Sequence, residues 1–210
     1  MDKERLVFIQ EKLRKKLILD DKFSELRSVG GADLSYSGDS AYCTIPVLSY
    51  EDMEPIEERT TKSRVSFPYI PTFLSFREAG PLIKTFRALS EKPDVLIIDG
   101  QGIAHPRGIG LASHAGVLLD MPTIGVAKRV LVGEFLPPRD VGEAEKMVFK
   151  GRDVGFALKS TRRSRPIFVS PGHRVSLATS LKIVKTCLQG HKLPEPVRLA
   201  HISSKQAAKG

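Results

Sequence analysis

Cysteine is scarce. The 210-residue chain holds two, Cys43 and Cys187, and no CxxC pair. Two thiols cannot staple a chain of this length into a disulfide scaffold, and neither they nor the histidines stand at zinc-ligand spacing. An intracellular, reduced protein is expected, with the cytoplasm as its location. Long apolar runs are also missing. No stretch approaches the roughly 20 residues that span a bilayer. The N-terminal MDKERLVFIQEKLRKKLIL is charged throughout and lacks the apolar centre of a signal peptide. No membrane partner is therefore expected. Phosphate-loop signatures are absent as well. No G-K-[ST] occurs anywhere, and in GQGIAHPRGIG His105 stands where G-x-G-x-x-G needs a glycine. No G-x-S-x-G occurs either, so the nucleophile elbow is excluded. With no repeat, low-complexity tract or linker, the whole of 1–210 reads as a single domain. Residues 1–20 are expected to form a helix packed on it, and 204–210 a frayed tail.

What is present is positive charge. Lys and Arg number 33 against 24 Asp and Glu, a formal net charge of +9. A balance of this sign suits a polyanion such as nucleic acid, and equally suits a solvated basic face. The hydrophobic fraction of 41% is enough for a sizeable core. Leu6, Ile9, Leu13 and Leu17 stand at helical spacing. Strand patterns follow at Val29–Tyr36, Ala41–Tyr50 and Glu57–Phe67, with Gly38-Asp39 as a turn. A helix is predicted over Phe76–Leu89. The short apolar runs Val95–Ile98 and Thr123–Ala127 read as strands buried on both faces. Between them a helix spans Leu111–Leu119, and later come a strand pair, Asp153–Lys159 with Ile167–Val169, and helices over Leu177–Leu188 and Pro196–Ser204. This order points to an α/β protein: a mixed β-sheet with helices on both faces.

Several residues within this frame are candidates for chemistry. Asp33 interrupts a strand of small and apolar residues. A carboxylate there is costly to bury unless paired or metal-bound, unless it faces solvent on an edge strand. Asp99 ends VLIID and is followed by Gly100-Gln101-Gly102. Ligands of open sheets gather beyond the carboxyl ends of parallel strands. Glu78 closes Ser75-x-x-Glu78, which also reads as a helix-capping box. Lys128 follows the second buried strand and is placed to reach a phosphate. Ser170-Pro171-Gly172-His173-Arg174 reads as a tight turn before a helix, suited to an anion, or as an ordinary loop. Phe67-Pro68-Tyr69-Ile70-Pro71 is a stiff aromatic loop that either joins the core or presents Tyr69 as a wedge between bases.

Taken in order, GGADLSY, PYIPTFLSFREAG, VLIIDGQGIAHPRGIGLASHAG, TIGVAKRVLVG, SPGHRVSL and LPEPVRLAHI resemble the endonuclease V family over about Gly30 to Ile202. The resemblance implies a ribonuclease H-like fold. It implies carboxylates at Asp33, Glu78 and Asp99 that hold Mg²⁺, with Mn²⁺ able to substitute. It places Lys128 near the reacting phosphate and His201 at a fourth site position, where some members carry Asp. Magnesium prefers oxygen ligands, so His201 is read as a neighbour of the metal or a proton-handling group. The loop of Pro68, Tyr69 and Ile70 matches the family's wedge. Leu74, Gly102, His105, Gly110 and Leu131 match its pocket for a flipped hypoxanthine, and Ser170, Gly172 and His173 are expected on the substrate side. The activity implied is cleavage of the second phosphodiester bond 3′ to an inosine, leaving a 3′-hydroxyl and a 5′-phosphate. Inosine-containing DNA, single- or double-stranded, is the expected partner, with RNA left open and a monomer expected.

Overall fold

The computed structural model describes residues 2–210. The elements run α1 (Lys3–Arg14), β1 (Ser28–Ser37), β2 (Ser40–Ser49), β3 (Pro55–Arg64), α2 (Leu74–Ala88), β4 (Val95–Asp99), α3 (Leu111–Leu119), β5 (Thr123–Ala127), β6 (Ala144–Phe149), β7 (Arg152–Leu158), β8 (Ile167–His173), α4 (Leu177–Thr186) and α5 (Glu195–Lys209). The strands form one eight-stranded sheet in the order β3-β2-β1-β4-β5-β8-β7-β6. β1, β4 and β5 are parallel at its centre. The remaining strands extend it antiparallel on both sides. The mixed sheet expected from the sequence is the sheet observed. Its β3 edge, PIEERTTKSR, is polar and mostly exposed, which protects it from pairing with another chain.

Side-chain alternation along β4 divides the core. Val95 and Ile97 face one side with Val29, Ile124, Val184 and Val197, and so pack on α4 and α5. Leu96 and Ile98 face the other with Ala32, Ile45, Leu82 and Ala112, and so pack on α2 and α3. All four apolar β4 side chains are fully buried. Burial of an aliphatic side chain of this size contributes about 1.5–3 kcal/mol, so the strand that ends in Asp99 is among the most firmly held.

Three local expectations are corrected, and one strand is added. α1 stops at Arg14 rather than continuing to residue 20; its Asp2 side chain caps the start by accepting from the Arg5 amide. β6 is not expected from the sequence, because AEKMVF carries only one buried position, Met147. The tail 204–210 is helical through Lys209 rather than frayed, since Ser204 is buried and its hydroxyl pairs with that of Ser35 on β1 at 2.9 Å. Ser170-Pro171-Gly172-His173 is not a turn before a helix. It is the buried second half of β8, paired with β5 across a bulge at Thr123/Ile124. Proline is tolerated there because pairing with β7 has already ended at Val169, so no ladder bond needs its missing N–H.

Candidate active site

The parallel register Ala32↔Ile98 sets Asp33 and Asp99 side by side one residue further on, both at the carboxyl end of the central strands. α5 lies against β1 and runs in the same direction. A Cβ at Gly31 would come within 2.1 Å of the Pro196 carbonyl, so only glycine lets the helix approach this closely. Four residues of helix and two residues of strand both advance about 6 Å. Val197 over Gly31 therefore brings His201 to Asp33, and the two meet at 2.7 Å through Nδ1 and Oδ2. Asp33, Asp99 and His201 each offer a ligand atom, all within 4.8 Å of one another. Asp33 is buried in a central strand, so the edge-strand alternative is ruled out.

Two like charges at such a spacing repel. Burial, and then the neighbouring Asp33, push the Asp99 carboxyl above its usual range, and the Lys128 ammonium that bonds to it offsets only part of this. The donor set suits a divalent cation: two carboxylates and an imidazole converge where positive charge is wanted. Glu78 lies outside that set of three. It accepts a hydrogen bond from Tyr36 Oη at 2.8 Å, and burial raises its pKa to about 7, with Asp33 and Asp99 adding to the rise. It does not cap its helix, which starts without a side-chain cap; Ser75 bonds His114 instead.

Beside the cluster opens a cleft of about 490 Å³, lined by Tyr69, Leu74, Asp99, Gln101, His105, Gly110, Lys128 and Leu131 among others. Asp99 thus belongs to both the cluster and the cleft, and its partner Lys128 lines the cleft beside it. Tyr69 is 68% exposed at the rim. Its loop is not free to wander. The Thr72 carbonyl accepts from Gln10 Nε2 at 3.0 Å, from His105 Nε2 at 3.0 Å and from Arg107 Nη2 at 2.8 Å. Thr72 itself has φ of +69°, an unfavourable conformation for a β-branched residue that these bonds hold in place. At the loop's other end Arg77 donates to the Phe67 carbonyl.

His105 lines the cleft, but burial lowers its pKa to about 4, so the ring is neutral. Nε2–H donates to Thr72 and Nδ1 accepts from the Arg107 amide, which occupies both nitrogens. The Gly102 and Gly110 amides are likewise engaged, with Ser170 Oγ at 2.8 Å and the Gly102 carbonyl at 2.9 Å, so they offer no donor to a base. Gly102 packs against Pro171, where a Cβ would sit 2.1 Å from the carbonyl oxygen. Ser170, Gly172 and His173 lie behind this loop as its support. A Cβ at Gly172 would meet the Thr123 hydroxyl at 2.3 Å, and His173 Nδ1 accepts from the Ile18 amide at 3.3 Å. Pro68 is exposed and Ile70 half-buried next to Tyr69.

Two further residues of the site are not among those singled out by the sequence. Gln10 is fully buried, and it lies in the Leu6/Leu13 stripe where a polar residue is out of place; that is the available signal. Gln101 donates to the Arg129 carbonyl at 2.9 Å, while its buried Oε1 has no partner. The oxygen is enclosed by protein atoms, so a ligand N–H in the cleft would satisfy it only after the side chain turns.

The endonuclease V family profile matches residues 11–202. Endonuclease V of Dictyoglomus turgidum is 47% identical over 204 residues, covering 97% of this chain and 90% of that protein. The endonuclease V structure from Bacillus subtilis superposes with a TM-score of 0.93 at 31% identity, covering 100% of this chain and 93% of that one. Endonuclease V of Ciona intestinalis, in complex with a 23mer DNA containing an inosine followed by a ribo-adenosine, gives a TM-score of 0.88 at 33% identity and covers 100% and 98% of the two chains. Sequence, fold and site geometry agree: the chain belongs to the endonuclease V family.

Proposed function

We propose that the protein is a metal-dependent endonuclease that recognises inosine in DNA and hydrolyses the second phosphodiester bond on its 3′ side, leaving a 3′-hydroxyl and a 5′-phosphate. The observation that carries this reading is the convergence of Asp33, Asp99 and His201 within 4.8 Å at the edge of a cleft with room for a base. Family membership, and the inosine-containing DNA held by the Ciona relative, support the substrate. Such an enzyme would serve repair of deaminated adenine, working as a monomer in the cytoplasm; two free, buried cysteines fit a reducing compartment.

Asp33 and Asp99 would hold the cation, Mg²⁺ or Mn²⁺, with Glu78 beside them and His201 at the same centre. When bound, the cation supplies positive charge that stabilises the reacting phosphate and makes water a better nucleophile. Lys128 adds a fixed positive charge next to Asp99, where the phosphate oxygens would lie. His201 donates through Nδ1–H to Asp33, which leaves Nε2 to hold or pass a proton at a reacting oxygen. Tyr69 would fill the gap left by an extruded base, at lower cost for a weak inosine pair. Turned toward the cleft, Gln101 Oε1 would accept from N1–H of hypoxanthine; adenine carries no hydrogen there.

The test uses end-labelled strands with one inosine, as DNA and as RNA, with Mg²⁺ and with EDTA. A Mg²⁺-dependent nick at the second bond 3′ to the inosine is the expected result, and the RNA strand decides whether ribose is also accepted. Inosine-selective binding without a nick would replace the nuclease with a binding protein. Neither nick nor selective binding would overturn the substrate.

A further inference from the structure

A second groove, of about 300 Å³, lies between the end of α1, the 105–108 segment and the β6–β7 hairpin. Arg14, Arg107, Lys150 and Arg152 line it, with Phe149 in its wall. The cations come from three stretches far apart in sequence. Among the described residues none of the four makes an ion pair. The nearby Asp153 is already paired with Lys146 at 2.6 Å, and Glu11 acts on Arg107 only at longer range. Arg107 spends its hydrogen bonds on neutral partners, Gln10 and Thr72, so its charge is not cancelled. Arg14 lies over Gly108, where an added Cβ would stand 3.2 Å from Nε. Lys150 occupies the hairpin tip with φ of +51°, a position where Asn or Gly is the ordinary choice.

Four like charges around one groove repel each other, and a polyanion relieves that repulsion while releasing its own counterions. The buried His105 forms part of the wall of both this groove and the base cleft, so the groove adjoins the cleft. From this we infer that the groove is a phosphate subsite, which binds the backbone of the substrate strand on one side of the inosine, away from the cutting centre. The inference rests on the nucleic-acid reading above.

The test compares the wild type with the triple variant Arg14→Ala/Lys150→Ala/Arg152→Ala. All three side chains are exposed, and Arg107 is spared because it holds the Thr72 loop. Binding of labelled inosine strands is followed by fluorescence anisotropy at several salt concentrations, with thermal unfolding as the check on folding. The expected results are a loss of affinity of at least about tenfold on the long strand, and a salt slope reduced by about two to three, at about 0.9 for each phosphate no longer neutralised. Shortening the strand on one side should abolish most of the difference, and shortening it on the other should not. The charge-conserving Arg14→Lys/Arg152→Lys variant should restore most of the affinity. An unchanged slope in a folded triple variant would overturn the subsite, as would a loss of affinity that does not depend on strand length. A wild type that fails to distinguish inosine from adenine strands fails the functional reading instead, which separates the two.

Discussion

Asp99 carries the heaviest load of any single residue. It sits in the ligand cluster, lines the cleft and bonds Lys128. Asp99→Asn keeps the shape and removes the charge. Cleavage of an inosine strand should fall by at least about a hundredfold, while the Kd for that strand stays within a few-fold; normal cleavage would sink the metal centre. Tyr69→Ala removes a stacking face, worth about 1–3 kcal/mol. The Kd for an inosine strand should rise about tenfold, and an unchanged value would count against the wedge. Gln101→Met replaces the orphaned acceptor with an apolar group of similar length. Preference for inosine over adenine, measured as a ratio of Kd values, should drop by about tenfold, the scale of one buried hydrogen bond. Glu78 titrates near neutrality in the metal-free protein, at about 7 against an ordinary 4.5. The folded state then binds more protons than the unfolded state between those values, so stability falls as pH rises through this window. In EDTA the Tm of the wild type should drop from pH 5 to pH 8 more steeply than that of Glu78→Gln, and added Mg²⁺ should raise the Tm more at pH 8 than at pH 5. Parallel Tm curves for the two proteins would refute the assignment.

Elements with simple periodicity are legible in the sequence. β4, α3 and β5 can be read almost to the residue, because a run buried on both faces needs no tertiary context to be recognised. Asp99 is legible in the same way, at the end of an apolar strand, whereas Asp33 keeps its edge-strand alternative until the fold places β1 inside the sheet. The second half of β8 is not legible. Pro-Gly is ordinarily turn chemistry, and only a bulge opposite a strand that has already ended makes it extended. Ser75 and Glu78 fit a capping box by spacing, yet both side chains turn to tertiary partners, His114 and Tyr36. Gln10 shows the same limit: its meaning depends on Thr72, 62 residues away. Gln10→Ala leaves the Thr72 carbonyl and the Arg107 guanidinium short of a partner, which should cost about 1–3 kcal/mol of stability. It should also weaken binding of an inosine strand through Tyr69. If so, the variant adds little on a Tyr69→Ala background; full additivity would show that α1 does not act through this loop.

At the scale of the whole molecule, the sheet separates two tasks. The α4/α5 side supplies His201 and the tight approach over Gly31, while the α2/α3 side supplies the floor of the cleft through Leu74 and Leu111. The net charge of +9 suits a polyanion partner or a solvated basic face alike, and it does not give the place where unpaired cations collect, because only the fold brings Arg14, Lys150 and Arg152 together. The two tasks meet at Asp99, on a strand whose other four side chains are fully buried. A base lodged in the cleft and a bond presented to the cluster would therefore be measured off against one rigid ruler, not against a swinging arm. On the proposed function, substitutions around the rim would alter how often a strand is cut, while the position of the cut would be engraved in β4.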